Sequence, residues 1–127
     1  MSQKQKWLSF MSIAFGLFTA VMDASMIGIA LPSISKDFSL DLSSAAWISL
    51  VSTITVVAVL LPMGNISDRV GRKKIYLHGV IIMAAGSLFS SFSNEIISLL
   101  FFRIIVSIGA AMRMSTGLAM VMMIFKD

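Results

Sequence analysis

Two ionisable residues, Asp23 and Arg103, each fall deep inside a long apolar run of the chain. A charge near the middle of a membrane-spanning helix costs about 2.5–3.5 kcal/mol on insertion scales. Residues of this kind therefore face a cavity or a partner and mark a substrate or proton path. Burial favours the protonated form of such a carboxylate, and a nearby guanidinium favours the ionised form. A carboxylate balanced between those influences can bind and release a proton. The other reading of the same residues is a static ion pair that holds two helices together. Asp23 lies eight residues before Leu31, where its apolar run ends, and Arg103 lies seven residues after Ile96, where its run begins. At 1.5 Å per residue both sit about 11–12 Å below one membrane surface, on helices that run in opposite directions. On a helix Asp23 shares a small, weakly polar face with Gly16, Thr19, Ala20 and Ala30.

A second polar feature is an island of eleven residues, Gly64-Asn65-Ile66-Ser67-Asp68-Arg69-Val70-Gly71-Arg72-Lys73-Lys74. It holds four basic residues, one acid and two glycines between two apolar runs. It reads as a tight loop at a membrane surface.

The elements that must position these residues are helices. The chain is 57% hydrophobic over 127 residues, above the roughly 45–50% typical of soluble domains. A spanning helix needs about 20 largely apolar residues. On that measure the fold class is an all-α membrane protein of about four transmembrane helices, at residues 7–31, 45–63, 75–92 and 96–125, with no separate soluble domain in 1–127. Pro32 is expected to end the first helix, with a polar loop over residues 33–44. Trp7 is expected to anchor the first helix at an interface. Alternate loops carry seven basic residues on one side and one on the other. The positive-inside rule then places both termini and the island in the cytoplasm of a multi-pass protein of the cell membrane.

Composition also excludes function classes. The absence of Cys removes disulfides, thiol nucleophiles and thiolate metal sites. A single His and no carboxylate cluster argue against a metal enzyme, and no cofactor is expected. The net charge of +4 reflects membrane topology rather than nucleic-acid binding. Arg113 lies about 200° around its helix from Ala111, near the inner end of a 20-residue span, and is expected to snorkel to the interface. His78 is expected to be a neutral interfacial histidine.

Helices associate in lipid through small residues that let backbones approach. Gly16, Ala20, Ala24 and Gly28 recur at fourfold spacing in the first helix, and Ser107, Ala111, Ser115 and Ala119 do so in the fourth. These are packing stripes, and they show helices that expect protein neighbours.

The island also carries a resemblance. Gly64, Asp68-Arg69 and Gly71-Arg72-Lys73 resemble, position by position, the signature between helices 2 and 3 of major facilitator superfamily transporters. Asp23-Ala24-Ser25 followed by Ala30-Leu31-Pro32 resembles the helix 1 motif of the 14-helix drug:proton antiporter branch, with Ser25 in place of Thr and Gly28 in place of Asn. Arg103 followed by Gly109-Ala110-Ala111 resembles the arginine motif of helix 4, with Val106 and Ser107 in place of Gln and Gly. Trp47 matches the helix 2 pattern, with Ala46 and Ser52 in place of Gln and Tyr. The resemblance covers the chain from about residue 8 onward.

The resemblance implies that the island is a cytoplasmic gating loop. Asp68 would latch onto a helix end in the other half of the protein, and Arg69 and Arg72 would join a charge relay. Arg103 would tune a membrane carboxylate, with Asp23 as candidate. It further implies the N-terminal third of a transporter of 12 or 14 helices that exchanges protons for small hydrophobic compounds. The expected partners are the lipid bilayer, protons, a small-molecule substrate, and the remaining helices of a longer transporter or another subunit. Two other readings stay open. One is a non-transporting product or small helical membrane partner; the other is a dimeric four-helix exporter.

Overall fold

The computed structural model describes residues 2–126. Four helices follow one another, α1 (Gln3–Asp37), α2 (Leu42–Val70), α3 (Arg72–Ser90) and α4 (Ile96–Ile124). No strand occurs among the described residues. Ser2 starts α1 through a capping box with Gln5, each side chain accepting from the other residue's amide, which satisfies two otherwise unpaired amides. Asp41 caps α2 by accepting from the Ser44 amide at 3.3 Å. Hydrogen bonds from the Ser44 hydroxyl and then its amide hold the Asp41 carboxyl below the usual carboxylate range. Extended backbone at Glu95 precedes α4, which begins at Ile96 as the apolar pattern predicts.

Helices α1, α2 and α4 are each long and apolar enough to cross a membrane. α3 has 19 residues, and its first turn is Arg72, Lys73 and Lys74. Only residues 75–90 are left as its apolar part, so by length and composition it falls short of the other three.

α4 is the centre of the bundle. It touches all three other helices, and α3 and α2 most extensively. In its most apolar stretch 39% of residues are buried, against 11% in α1 and in α2. Its contact with α3 is backbone on backbone. A Cβ placed on Gly109 would lie 2.7 Å from the Gly79 carbonyl oxygen, and one on Gly79 would lie 2.9 Å from that of Gly109. The ridge Ile75, Gly79, Met83 and Gly86 is the buried face of α3. Its spacing of four, four and three was readable as a packing ridge, and the sequence reading passed over it. At one end of the bundle Phe125 stacks edge-to-face on Trp7 at 6.4 Å and on Phe10 at 5.4 Å. The start of α1 thus meets the end of α4, and the two helices are antiparallel. Both ends of the described chain lie together there.

The structure corrects several boundaries. Pro32 does not end α1, which continues to Asp37 with the proline inside it. Proline removes one donor and crowds the carbonyl four residues earlier, which a long apolar helix takes up by local adjustment of its backbone. Here Pro32 is exposed, and a Cβ on Gly28, one turn earlier, would meet nothing within 4 Å. The helix closes instead at Ser39, whose φ of 53° is left-handed, with the Leu40 amide donating to the Ser35 carbonyl at 2.9 Å. The island is not a loop. Residues through Val70 complete α2, and Arg72 already belongs to α3. Only Gly71 breaks the helix, at a φ of 118° that side chains other than glycine rarely adopt. The small-residue stripe of α1 is only partly seated: Gly16 is buried, Ala20 half-buried, and Ala24 and Gly28 exposed. On α4, Ser107 and Ala111 are buried and Ser115 is half-buried.

Candidate functional site

Asp23 and Arg103 meet. Arg103 donates from Nη2 to Oδ2 of Asp23 at 2.9 Å and from Nη1 to Oδ1 at 3.4 Å. This is a two-pronged contact, in which a guanidinium matches a carboxylate in direction as well as charge. The arginine side chain is 10% exposed and the aspartate 29%. The pair is therefore partly desolvated, with the carboxylate on its open side. Nε of Arg103 is buried without a partner. The backbone carbonyl of Arg103 accepts from Ser107 Oγ at 2.7 Å, so the small residue next along α4 is tied to the same turn.

The pair opens onto a cavity of about 340 Å³ between α1, α2 and α4. Its walls are mostly apolar, from Leu17, Ile27, Val56 and Val106 among others. Ser49, Ser52, Thr53 and Ser107 add hydroxyls. Ser52 and Thr53 donate back into their own helix, to the Ile48 and Ser49 carbonyls, at 3.0 Å each. Their oxygens remain able to accept a hydrogen bond. The α2 hydroxyls escaped the sequence reading because isolated Ser and Thr in an apolar helix carry no distinctive pattern. Chemically, the arrangement offers one carboxylate, paired with a guanidinium, beside an apolar space large enough for part of a small organic molecule.

Arg113 lies elsewhere than predicted. It is buried at 7% exposure instead of snorkelling to an interface. Nη2 donates to the Gly16 carbonyl and to Thr19 Oγ1 of α1, the latter at 2.9 Å, and Nη1 donates to Met83 Sδ of α3 at 2.7 Å. The reason is the central place of α4. Neighbours pack on several of its sides, so a residue off the small-residue stripe is still interior. Gly16 supplies the space, since a Cβ there would lie 2.9 Å from Nη2. His78, in contrast, is exposed, with Nδ1 hydrogen-bonded to the Lys74 carbonyl at 2.7 Å.

The profile of the Major Facilitator Superfamily matches residues 13–127. The chain belongs to the Major Facilitator Superfamily. It is similar to the riboflavin transporter RibZ of Clostridioides difficile (strain 630), at 36% identity over 93% of this chain and 26% of the relative. It is 29% identical to the uncharacterized transporter YebQ of Escherichia coli (strain K12), over 95% of this chain and 26% of that protein. It is 28% identical to the methyl viologen resistance protein SmvA of Salmonella typhimurium (strain LT2), over 91% of this chain and 23% of that protein. The chain thus spans about a quarter of the length of these curated relatives. No solved structure matches.

In this superfamily chain the signature residues form a compact joint. Arg72 donates from Nε and Nη2 to Oδ1 of Asp68 at 3.0 and 2.9 Å. It also reaches α4, donating from Nη1 to Met123 Sδ and, at 3.5 Å, to the Ala119 carbonyl. Arg72 therefore bridges the α2–α3 joint to the last turns of α4. The Asp68–Arg72 pair joins two helices at the surface and contributes only about 0.2–1 kcal/mol; its effect is to orient the arginine. Ser67 is buried and donates to the Gly64 carbonyl at 2.7 Å. Arg69 and Lys73 are exposed. The resemblance implies a charge relay that joins Arg69 with Arg72; within these helices Arg72 reaches Asp68 and α4, and Arg69 is exposed.

Proposed function

We propose that this chain forms part of a proton-coupled transporter that moves small, largely apolar compounds out across the cell membrane, with the termini and the Gly71 joint on the cytoplasmic side. The observation that carries the reading is the Asp23–Arg103 pair at the edge of an apolar cavity inside the helical bundle. A proton arriving on Asp23 cancels its charge and weakens its hold on Arg103. A proton leaving restores the pair. That exchange gives the bundle two states, as coupling a proton to cargo requires. The relatives support the class of activity: one is named for riboflavin transport and another for methyl viologen resistance. With about a quarter of such a protein in hand, cargo passage belongs to the longer chain that supplies the remaining helices.

The reading is tested in proteoliposomes holding the intact transporter, with a small lipophilic dye as probe beside riboflavin and methyl viologen. Flux of a carried probe is expected to follow an imposed proton gradient and to stop when a protonophore collapses it. Flux that is indifferent to the gradient would contradict the reading.

The joint has its own expected result. Asp68→Asn leaves Arg72 with a weaker partner and frees it from its orientation toward α4. Turnover should fall several-fold, while the affinity for the carried probe in a binding assay stays near wild type. An equal loss in both measurements would count against a gating role for this segment.

A further inference from the structure

Seen along its length, α1 is held to the rest of the bundle in an uneven way. Its only buried residues are Ile13 and Gly16, both on the inner side of Asp23. Two guanidiniums of α4 grip it. Arg103 holds Asp23, and Arg113 holds the turn that carries Gly16 and Thr19.

The two grips differ in chemistry. The partners of Arg113 are a backbone carbonyl, a hydroxyl and a thioether, none of which changes charge. The partner of Arg103 is a carboxylate, which does. Around the cavity the charged groups are Asp23 from α1 and Arg103 from α4; α2 contributes only hydroxyls and apolar groups, and α3 lines none of it. The inner grip is also locked from a third side. A Cβ on Gly16 would collide with the Tyr76 hydroxyl of α3 as well as with Arg113, so three helices converge at that glycine. Thr19 Oγ1 donates to the same Gly16 carbonyl at 2.8 Å while it accepts from Arg113.

We infer that Arg113 is a positioning residue that makes the Gly16–Thr19 turn a charge-independent fulcrum, so that loss of charge on Asp23 swings the outer part of α1 instead of releasing the whole helix. The inference deepens the proposed function and rests on it for the event that neutralises Asp23. Asp23 stands seven residues from Gly16, about 10 Å along the axis, and Ile29 stands about 20 Å from it. Opening the ion pair by about 3 Å, enough for one water to enter, therefore moves the helix at Ile29 by about 6 Å.

The test uses the intact transporter in nanodiscs, with paired spin labels on introduced cysteines; these 127 residues contain none of their own. Ile29 and Ile97, 80% and 74% exposed, report the outer span, and Phe15 and Leu118, 68% and 61% exposed, report the fulcrum. Asp23→Leu severs the outer grip without any proton gradient. It should lengthen the Ile29–Ile97 distance by about 6 Å and leave Phe15–Leu118 unchanged. Adding Arg113→Leu should lengthen Phe15–Leu118 as well, so that the two distances shift together. Thr19→Val, which removes one acceptor of Arg113 and keeps the side-chain shape, should act in the same direction and stands in if the arginine variant does not fold. The inference is overturned if Asp23→Leu shifts both distances equally or neither, or if adding the Arg113 or Thr19 change reproduces the distances of Asp23→Leu alone. A failure of gradient-driven flux would remove proton coupling but would not alter these distances, so the two ideas fail separately.

Discussion

Asp23→Asn is expected to cut gradient-driven flux through the intact transporter by about 10²-fold or more, while exchange of labelled for unlabelled cargo without a gradient continues near the wild-type rate. Asparagine has the size of the protonated carboxyl and no charge, so it holds α1 in the state that neutral Asp23 adopts and leaves the rest of the bundle packed. It cannot take up or release a proton. A static ion pair would respond differently, because no proton exchange would depend on it and the two kinds of flux would change together. The arginine offers a contrast. Arg103→Leu leaves Asp23 without its partner in a partly desolvated place, where breaking a buried pair costs about 3–5 kcal/mol. That variant should lose thermal stability, and Asp23→Asn in the same background should restore part of it. If Arg103→Leu is as stable as wild type, the pair is more solvated than its 10% and 29% side-chain exposures imply.

Gly109→Val should be the most damaging single change to the fold. A Cβ at this position would lie 2.7 Å from the Gly79 carbonyl oxygen and 2.7 Å from the Met83 amide nitrogen. Both are backbone atoms of α3, which no rotamer change can move aside. The helices must part along the contact that places α3 on α4, and the buried ridge of Ile75, Gly79, Met83 and Gly86 loses its fit. Overpacking of this kind costs about 1–3 kcal/mol and sometimes more, and a β-branched residue against backbone belongs at the upper end. Thermal unfolding of the intact transporter in detergent should show a markedly lower midpoint than wild type. An unchanged midpoint would mean that α3 and α4 do not meet backbone to backbone at this glycine.

Much of this architecture was legible before any coordinates. Charges inside apolar helices must find partners, so depth arithmetic alone could bring Asp23 and Arg103 to one level, and they meet at 2.9 Å. The spacing of Gly64, Asp68, Gly71 and Arg72 identified the superfamily, which the match over residues 13–127 establishes. Helix ends were harder to read. Pro32 and the polar island both look like terminators by local propensity, yet α1 runs through the proline and α2 continues into the island as far as Val70. A long apolar helix absorbs a proline by local backbone adjustment, and the island needs only Gly71 to turn. Arg113 was misplaced because an angle on one helix says which way a side chain points but not how many neighbours surround that helix. The α3 ridge could be read from its spacing, but the glycine contact it makes could not, because Gly79 and Gly109 lie thirty positions apart and Gly109 stands off the small-residue stripe of α4.

The central claim is that Asp23 carries the proton that cargo movement requires. It is tested most directly by adding a compound carried in the flux assay to the intact transporter in weakly buffered detergent solution and measuring the protons released. The wild-type protein should release protons in proportion to cargo bound, and Asp23→Asn should bind cargo and release almost none. Equal proton release by the two proteins would contradict the account.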